Sequence, residues 1–223
     1  LYTKQTFKYG KFEARMLMPA GSGVVSSMFL YYNDSYKGSP EPWREIDIEV
    51  LGKNPTQFQS NIITGNAANR ITSEDYHAVP EGAHQIYHTY AIEWTPNFVR
   101  WTVDGIEVRK TPGQQVVDLQ DKEQNLRFNL WAANITSWVG SWNDAILPVY
   151  QYINWIKVWN WTPGTGPNGS DYTLAWTEDF NDSDMSRWGV ADWTFTENLA
   201  DFVPENIVVK NGTLILCLTK ENA

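Results

Sequence analysis

The run "WREIDIEVLG", residues 43–52, constrains this chain more tightly than any other stretch. Glu45, Asp47 and Glu49 alternate strictly with Ile46, Ile48 and Val50. β-Branched residues favour strands, and in a strand residues at i, i+2 and i+4 share one face. The run therefore reads as a strand with an aliphatic back and a front of three carboxylates. Such a strand needs a core behind it and a reason for the acids in front.

The same period recurs along the chain. "KFEARMLM" places Phe12, Ala14, Met16 and Met18 on one face, and "FQSNIITG" sets Gln59 and Asn61 opposite Phe58, Ser60 and Ile62. "FVRWTVDGIEVRK" predicts a two-residue hairpin at Asp104-Gly105, and "NIVVKNGTLILCLT" predicts another at Asn211-Gly212. "YINWIKVWNW" continues the pattern, whereas the polar "DLQDKEQN" reads as a loop or short turn. Many short strands between turn signals, with almost no helical periodicity, predict an all-β sandwich or jelly roll. Residues 162–173, "TPGTGPNGSDYT", hold three Gly and two Pro and read as a surface linker. The fifty residues after it are too few for a secure core of their own. The expected organisation is one domain: residues 1–161 as the main part, 162–173 as linker, and 174–223 completing the same sandwich.

Composition narrows the partners. A formal net charge of −9 and a pI near 4.8 argue against nucleic acid or an anionic membrane, since either favours a basic face. No apolar run approaches a membrane span and no signal peptide is present; Leu1 is not a natural start, so the chain is read as a mature or cropped form. The single cysteine, Cys217, sits in "LILCLT" and is expected to be buried as a small hydrophobe. His84 and His88 have a zinc-like spacing, but Gln85 stands where a catalytic Glu would be needed, so both are read as structural. Twelve Trp and eleven Tyr exceed what a core of this size ordinarily requires. Flat rings with a polar edge suit ligand clefts as well as cores.

Three carboxylates on one face interact strongly. Neighbours about 7 Å apart repel by about 2.4 kcal/mol at an effective dielectric near 20, almost two pKa units. In a semi-enclosed site at least one keeps its proton near neutral pH, and a protonated acid beside an ionised one is the pair that glycoside hydrolysis uses. A solvated strand face and a hard-cation site are the alternatives that this stretch alone leaves open.

Together with "VVSSMFLYYN", "HTYAIEWTPNFVRWTVDG" and "RFNLWAANITSWVGSW", the acidic run closely resembles glycoside hydrolase family 16, in particular its 1,3-1,4-β-glucanases (lichenases). The resemblance spans nearly the whole chain. It implies a curved antiparallel jelly roll of concanavalin-like form whose concave face is the substrate cleft. It also implies Glu45 as nucleophile, Glu49 as general acid/base and Asp47 as helper. The pattern E-x-D-x-E lacks the extra residue of laminarinase members, E-x-D-x-x-E, which makes a β-bulge. By this resemblance the expected activity is endo-acting, retaining cleavage of mixed-linkage β-glucan. The tail after the linker is similar to the N-terminal portion of ordinary members, which implies a circularly permuted arrangement with Tyr2 and Thr219 close in space.

Cleft residues follow from the matched motifs: Phe29, Tyr31 and Asn33; Gln59 and Asn61; Arg127, Trp131 and Trp138; and Trp193 from the tail. Rings would stack on sugar faces while Asn, Gln and Arg bond hydroxyls. The resemblance implies no cofactor for catalysis but a structural calcium, held by the side-chain oxygen of Asn154 and the backbone carbonyls of Asp179 and Gly212. A polymeric β-glucan partner implies a secreted protein, expected as a monomer. The rivals are a non-catalytic glucan-binding lectin and a 1,3-glucanase. Five N-x-[ST] sequons, at Asn33, Asn134, Asn168, Asn181 and Asn211, carry no glycan claim.

Overall fold

The computed structural model describes residues 1–182 and 184–220. Its strands run in chain order β1 (Tyr2–Thr3), β2 (Gly10–Leu17), β3 (Val24–Tyr31), β4 (Glu45–Leu51), β5 (Gln57–Asn66), β6 (Asn69–Thr72), β7 (Asp75–Ala78) and β8 (His88–Trp94). They continue as β9 (Val99–Val103), β10 (Ile106–Thr111), β11 (Asn125–Ala132), β12 (Val149–Trp161), β13 (Tyr172–Glu178), β14 (Trp188–Gly189), β15 (Ile207–Val209) and β16 (Leu214–Leu218). One sheet has the order β14-β1-β11-β3-β4-β5-β6 with β7 also on β5; the other has β10-β9-β8-β2-β12-β16-β15 with β13 also on β12. All the pairings are antiparallel.

Alternation decides what fills the space between the sheets. Phe12, Ala14, Met16 and Met18 are fully buried, as are Ile46, Ile48, Val50, Phe58 and Ile62 from the facing sheet. Trp94 and Trp101 of β8 and β9 are also fully buried. The Trp101 indole N–H donates to the backbone carbonyl of Asp47 at 2.9 Å, so the second sheet holds the acidic strand from behind. The hairpin at Asp104-Gly105 forms, both residues taking positive φ (50° and 79°), and the turn at Asn211-Gly212 does the same (52° and 68°).

The short turn expected of "DLQDKEQN" forms, as a 3₁₀ turn (Leu119–Asp121) directly after the short helix α1 (Gln114–Asp118). Val116 and Leu119, one helical step apart, are both buried, and Arg44 grips Asp121 with two hydrogen bonds of 2.8 and 2.9 Å. The Gly/Pro stretch is not a tether but the loop of a hairpin. Trp161 pairs with Tyr172, Thr162 N–H donates to Asp171 O at 2.8 Å, and β13 begins inside the assigned linker. Cys217 is half-buried rather than enclosed, because Leu214, Leu216 and Leu218 take the core face of β16 and leave it facing outward. His88 is a structural histidine, with Nδ1 2.7 Å from Asp104 Oδ2.

The tail completes both sheets: β13 and β16 flank β12, and β14 pairs with β1. Removing the Trp101 donor by Trp101→Phe leaves the Asp47 carbonyl short of one partner in the core. The expected cost is about 1–3 kcal/mol of stability, read as a lower guanidinium unfolding midpoint; a midpoint equal to the parent's would remove this tie from the account.

Candidate active site

The outward face of the first sheet floors a cleft of about 1550 Å³. Strand register builds that floor in rungs. Tyr31, Glu45 and Ile63 lie side by side on β3, β4 and β5; the next rung sets Arg127, Phe29, Asp47 and Asn61 in line; the third sets Asn129, Ser27, Glu49 and Gln59. The register of β4 with β3 is unbroken from Glu45 to Leu51, so the acidic strand carries no bulge. The alternation read from the sequence thus places all three acids in the cleft, with their aliphatic neighbours behind.

The two glutamates have different surroundings. Glu45 accepts a hydrogen bond from the Trp43 indole at 2.6 Å, and Arg127 and Arg70 add positive charge. Loss of water at the cleft floor still dominates and raises its pKa to about 7. Burial also comes first for Glu49, but its neighbours are the negative charges of Glu45 and Glu74, and its pKa rises to about 8. Asp47, buried between them, is raised well above the usual carboxylate range by burial and by both glutamates. It shares one face of β4 with both glutamates, and its Oδ2 is buried without a hydrogen-bond partner among the described residues.

The expected cleft residues line the cavity, in differing states. Arg127 donates to Asn33 Oδ1 at 2.7 Å and lies over the rings of Tyr31 and Tyr2. Phe29 and Tyr31 meet edge to face, and Tyr31 meets Trp43 in the same way. Gln59 and Asn61 are floor residues whose amide oxygens are already engaged, by Trp138 Nε1 at 2.9 Å and Ser73 N–H at 2.9 Å. Their NH₂ groups remain to face a ligand. Trp193, 45% exposed, is open for stacking. Trp131 is only 7% exposed and packs on Trp138 and Phe195, so it supports the cleft wall more than it offers a platform.

Several wall and floor residues were not anticipated. Trp43 lies two residues before Glu45 on the same face, a spacing visible in the sequence. Ser27 and Asn129 extend the alternation of Phe29 and Arg127 by one step. Arg70 stacks on Trp43 at 4.9 Å, and Glu74 faces Glu49; both arrive from the β6–β7 region without a local signal. Phe195 and Phe202 pack beside Trp131 in the same wall.

The residues assigned to calcium come together away from the cleft, but as assigned they fit the ion poorly. Asn154 Oδ1 accepts from Arg15 at 3.1 Å, while Asn154 Nδ2 donates to the Gly212 carbonyl at 3.4 Å. The assigned oxygens include no carboxylate, since Asp179 is assigned by its backbone carbonyl, and a guanidinium already occupies the one assigned side-chain oxygen. Calcium binding favours six or more oxygens with formal negative charge among them. Among the described residues no group of three or more His, Cys, Asp or Glu side chains is placed to hold a metal.

Comparison with known proteins agrees with this geometry. The profile of Glycosyl hydrolases family 16 matches residues 1–157. A beta-glucanase of Fibrobacter succinogenes is 57% identical over 221 residues, 99% of this chain, and the chain spans 63% of that relative's length. A beta-glucanase of Bacillus amyloliquefaciens is 37% identical over 154 residues, 69% of this chain and 60% of the relative. Among solved structures, Bacillus licheniformis beta-glucanase superposes with a TM-score of 0.60 at 32% identity, covering 70% of this chain and 69% of that one. A lichenase from a mouse hindgut metagenome gives 0.54 at 31%, covering 64% and 62%. With its antiparallel sandwich, its acid-lined cleft and these matches, the chain belongs to glycosyl hydrolase family 16.

Proposed function

We propose that this chain is an endo-acting, retaining glycoside hydrolase that cleaves mixed-linkage 1,3-1,4-β-D-glucans by double displacement. The asymmetry between the glutamates carries the reading: Glu45 has a donor and two cations, whereas the charges that act on Glu49, those of Glu45 and Glu74, are negative. In the first step a Glu45 carboxylate oxygen bonds the anomeric carbon as the glycosidic C–O bond breaks, and Glu49 gives its proton to the leaving oxygen. In the second step Glu49 takes a proton from water, whose oxygen attacks the anomeric carbon, and the bond to Glu45 breaks to restore its carboxylate. Asp47 serves as the helper that holds Glu45 in its ionised state.

The beta-glucanase names of the relatives support a β-glucan substrate, and the unbroken register of β4 supports the mixed-linkage specificity over plain 1,3-glucan. The circular permutation stays part of the proposal. The Bacillus amyloliquefaciens relative matches 154 residues and the Fibrobacter relative 221, as expected if the tail corresponds to a segment placed elsewhere in the former. A polymeric substrate is consistent with a secreted, monomeric enzyme.

Reducing-sugar release from barley β-glucan, lichenan and laminarin tests the assignment: strong release from the first two and none from laminarin is expected. Release only from laminarin would overturn the specificity, and retention without any release would hand the cleft to a lectin. Glu45→Gln is expected to fold and to lose nearly all turnover, and Glu49→Gln to lose about 10²–10⁴-fold. The pH profile of kcat/KM reads the two environments separately. Activity needs Glu45 ionised and Glu49 protonated, so it falls at low pH through Glu45 and at high pH through Glu49. Trp43→Phe removes a donor that favours the Glu45 carboxylate and should move the acidic limb to higher pH. Glu74→Gln removes a negative neighbour of Glu49 and should move the alkaline limb to lower pH. Limbs that stay in place in both variants would disprove the assignment of roles.

A further inference from the structure

The aromatic excess is not used up by the cleft and the core. On β12 the residues Tyr150, Tyr152, Trp155 and Trp159 face away from the core, while Gln151, Ile153, Ile156 and Val158 face into it. The outer face of an antiparallel sheet ordinarily alternates to polar side chains. Part of this aromatic stripe is already covered. Lys157 lies over Trp155 at 4.8 Å and Lys11 over Trp159 at 5.8 Å, and the Trp159 indole donates to Glu13 at 2.7 Å. Among the described residues no cation lies over either ring at the tyrosine end. Tyr150, 36% exposed, and Tyr152 stand 6.0 Å apart, tilted by 44°, and floor a groove of about 520 Å³.

We propose that this outer groove is a second binding site for the β-glucan chain, continuous with the catalytic cleft; the inference rests on the reading of that cleft as a β-glucan site. Continuity is the first argument. Asn206, Cys217 and Thr219 line both the cleft and the groove, so the two adjoin where β15 and β16 edge the second sheet. Chemistry is the second. The lining has one acid and one base, Glu205 and Lys210, the apolar Val208 and Ile215, and the Asn206 amide bonded to the Thr219 hydroxyl at 3.2 Å. A lining balanced in charge, with a few polar groups beside paired rings, fits a neutral sugar chain, whose apolar faces stack on rings, better than an ion. A polymer held at both places gains by effective concentration, whereas a short oligosaccharide that fills only the cleft gains nothing.

The test is the double variant Tyr150→Ala/Tyr152→Ala, with hydrolysis of a mixed-linkage tetrasaccharide as the control for folding. The tetrasaccharide rate should be unchanged, while KM for barley β-glucan rises about three- to tenfold with kcat unaltered. The single cysteine gives a second reading, since Cys217 pairs with Tyr150 across β16 and β12 and lines the groove as well as the cleft, and protection that arises in the groove should vanish when Tyr150→Ala/Tyr152→Ala is added. In the Glu45→Gln background, lichenan should slow alkylation of Cys217 by an uncharged maleimide at least threefold, and the tetrasaccharide should not. A polymer KM equal to the parent's, or a labelling rate indifferent to lichenan, would overturn the second site and leave the cleft assignment standing. If the parent neither hydrolyses nor retains any β-glucan, both readings fall together. Should the double variant lose the tetrasaccharide rate, Tyr150→Ser alone, at the exposed ring, decides by the same KM comparison.

Discussion

Everything at the site depends on one strand being apolar behind and acidic in front. Ile46, Ile48 and Val50 fix β4 against the second sheet, and the Trp101 indole ties its backbone at Asp47. Because a one-residue slip would turn every side chain to the other face, the burial of these aliphatics is what holds Glu45, Asp47 and Glu49 in the cleft. The interior thus sets the geometry of the chemistry. Neighbouring strands then supply the rest by register alone, since Arg127, Phe29 and Asn61 share the Asp47 rung.

The difference between the two glutamates comes from elements far apart in the chain. Trp43 belongs to the same extended segment as Glu45, Arg127 comes from β11, and Arg70 and Glu74 come from the hairpin region after β5. Equal side chains on one strand meet unequal surroundings, set by which charges the sheet brings beside each. Asp47 shows the same logic: flanked by two like charges and cut off from water, its carboxyl is pushed toward the protonated form.

How much of this was legible in the sequence follows from how local each cause is. The acidic face, the buried partners on β2 and β5 and both Gly-containing turns are properties of a few adjacent residues, and they could be read directly. Trp43 was equally readable, being two positions from Glu45 on the same face, and so were Ser27 and Asn129. Arg70 and Glu74 were not, because β6 and β7 both fold back onto β5 and no short-range pattern announces which of their side chains reach the acids. The Gly/Pro loop misled for a related reason. Its composition marks exposure, but only the pairing of Trp161 with Tyr172 tells a hairpin from a linker. Trp131 could be placed at the cleft but not graded, since Phe195 and Trp138, which cover it, come from separate segments.

The raised carboxylates also place a charge on the thermodynamics of the fold. An unfolded glutamate titrates near 4.5, whereas Glu45 and Glu49 in the folded chain titrate at about 7 and about 8. The folded state therefore binds these protons more tightly than the unfolded one. Their contribution to stability is fully present below about pH 4.5 and is lost as pH rises through the folded values. On account of these groups the protein is held together least well above about pH 8, where both are ionised, and that loss is already under way over the range in which one of them is ionised and the other is not. A site poised to move protons near neutrality is a site that the rest of the sandwich must carry, and the two sheets packed behind β4 are what carries it.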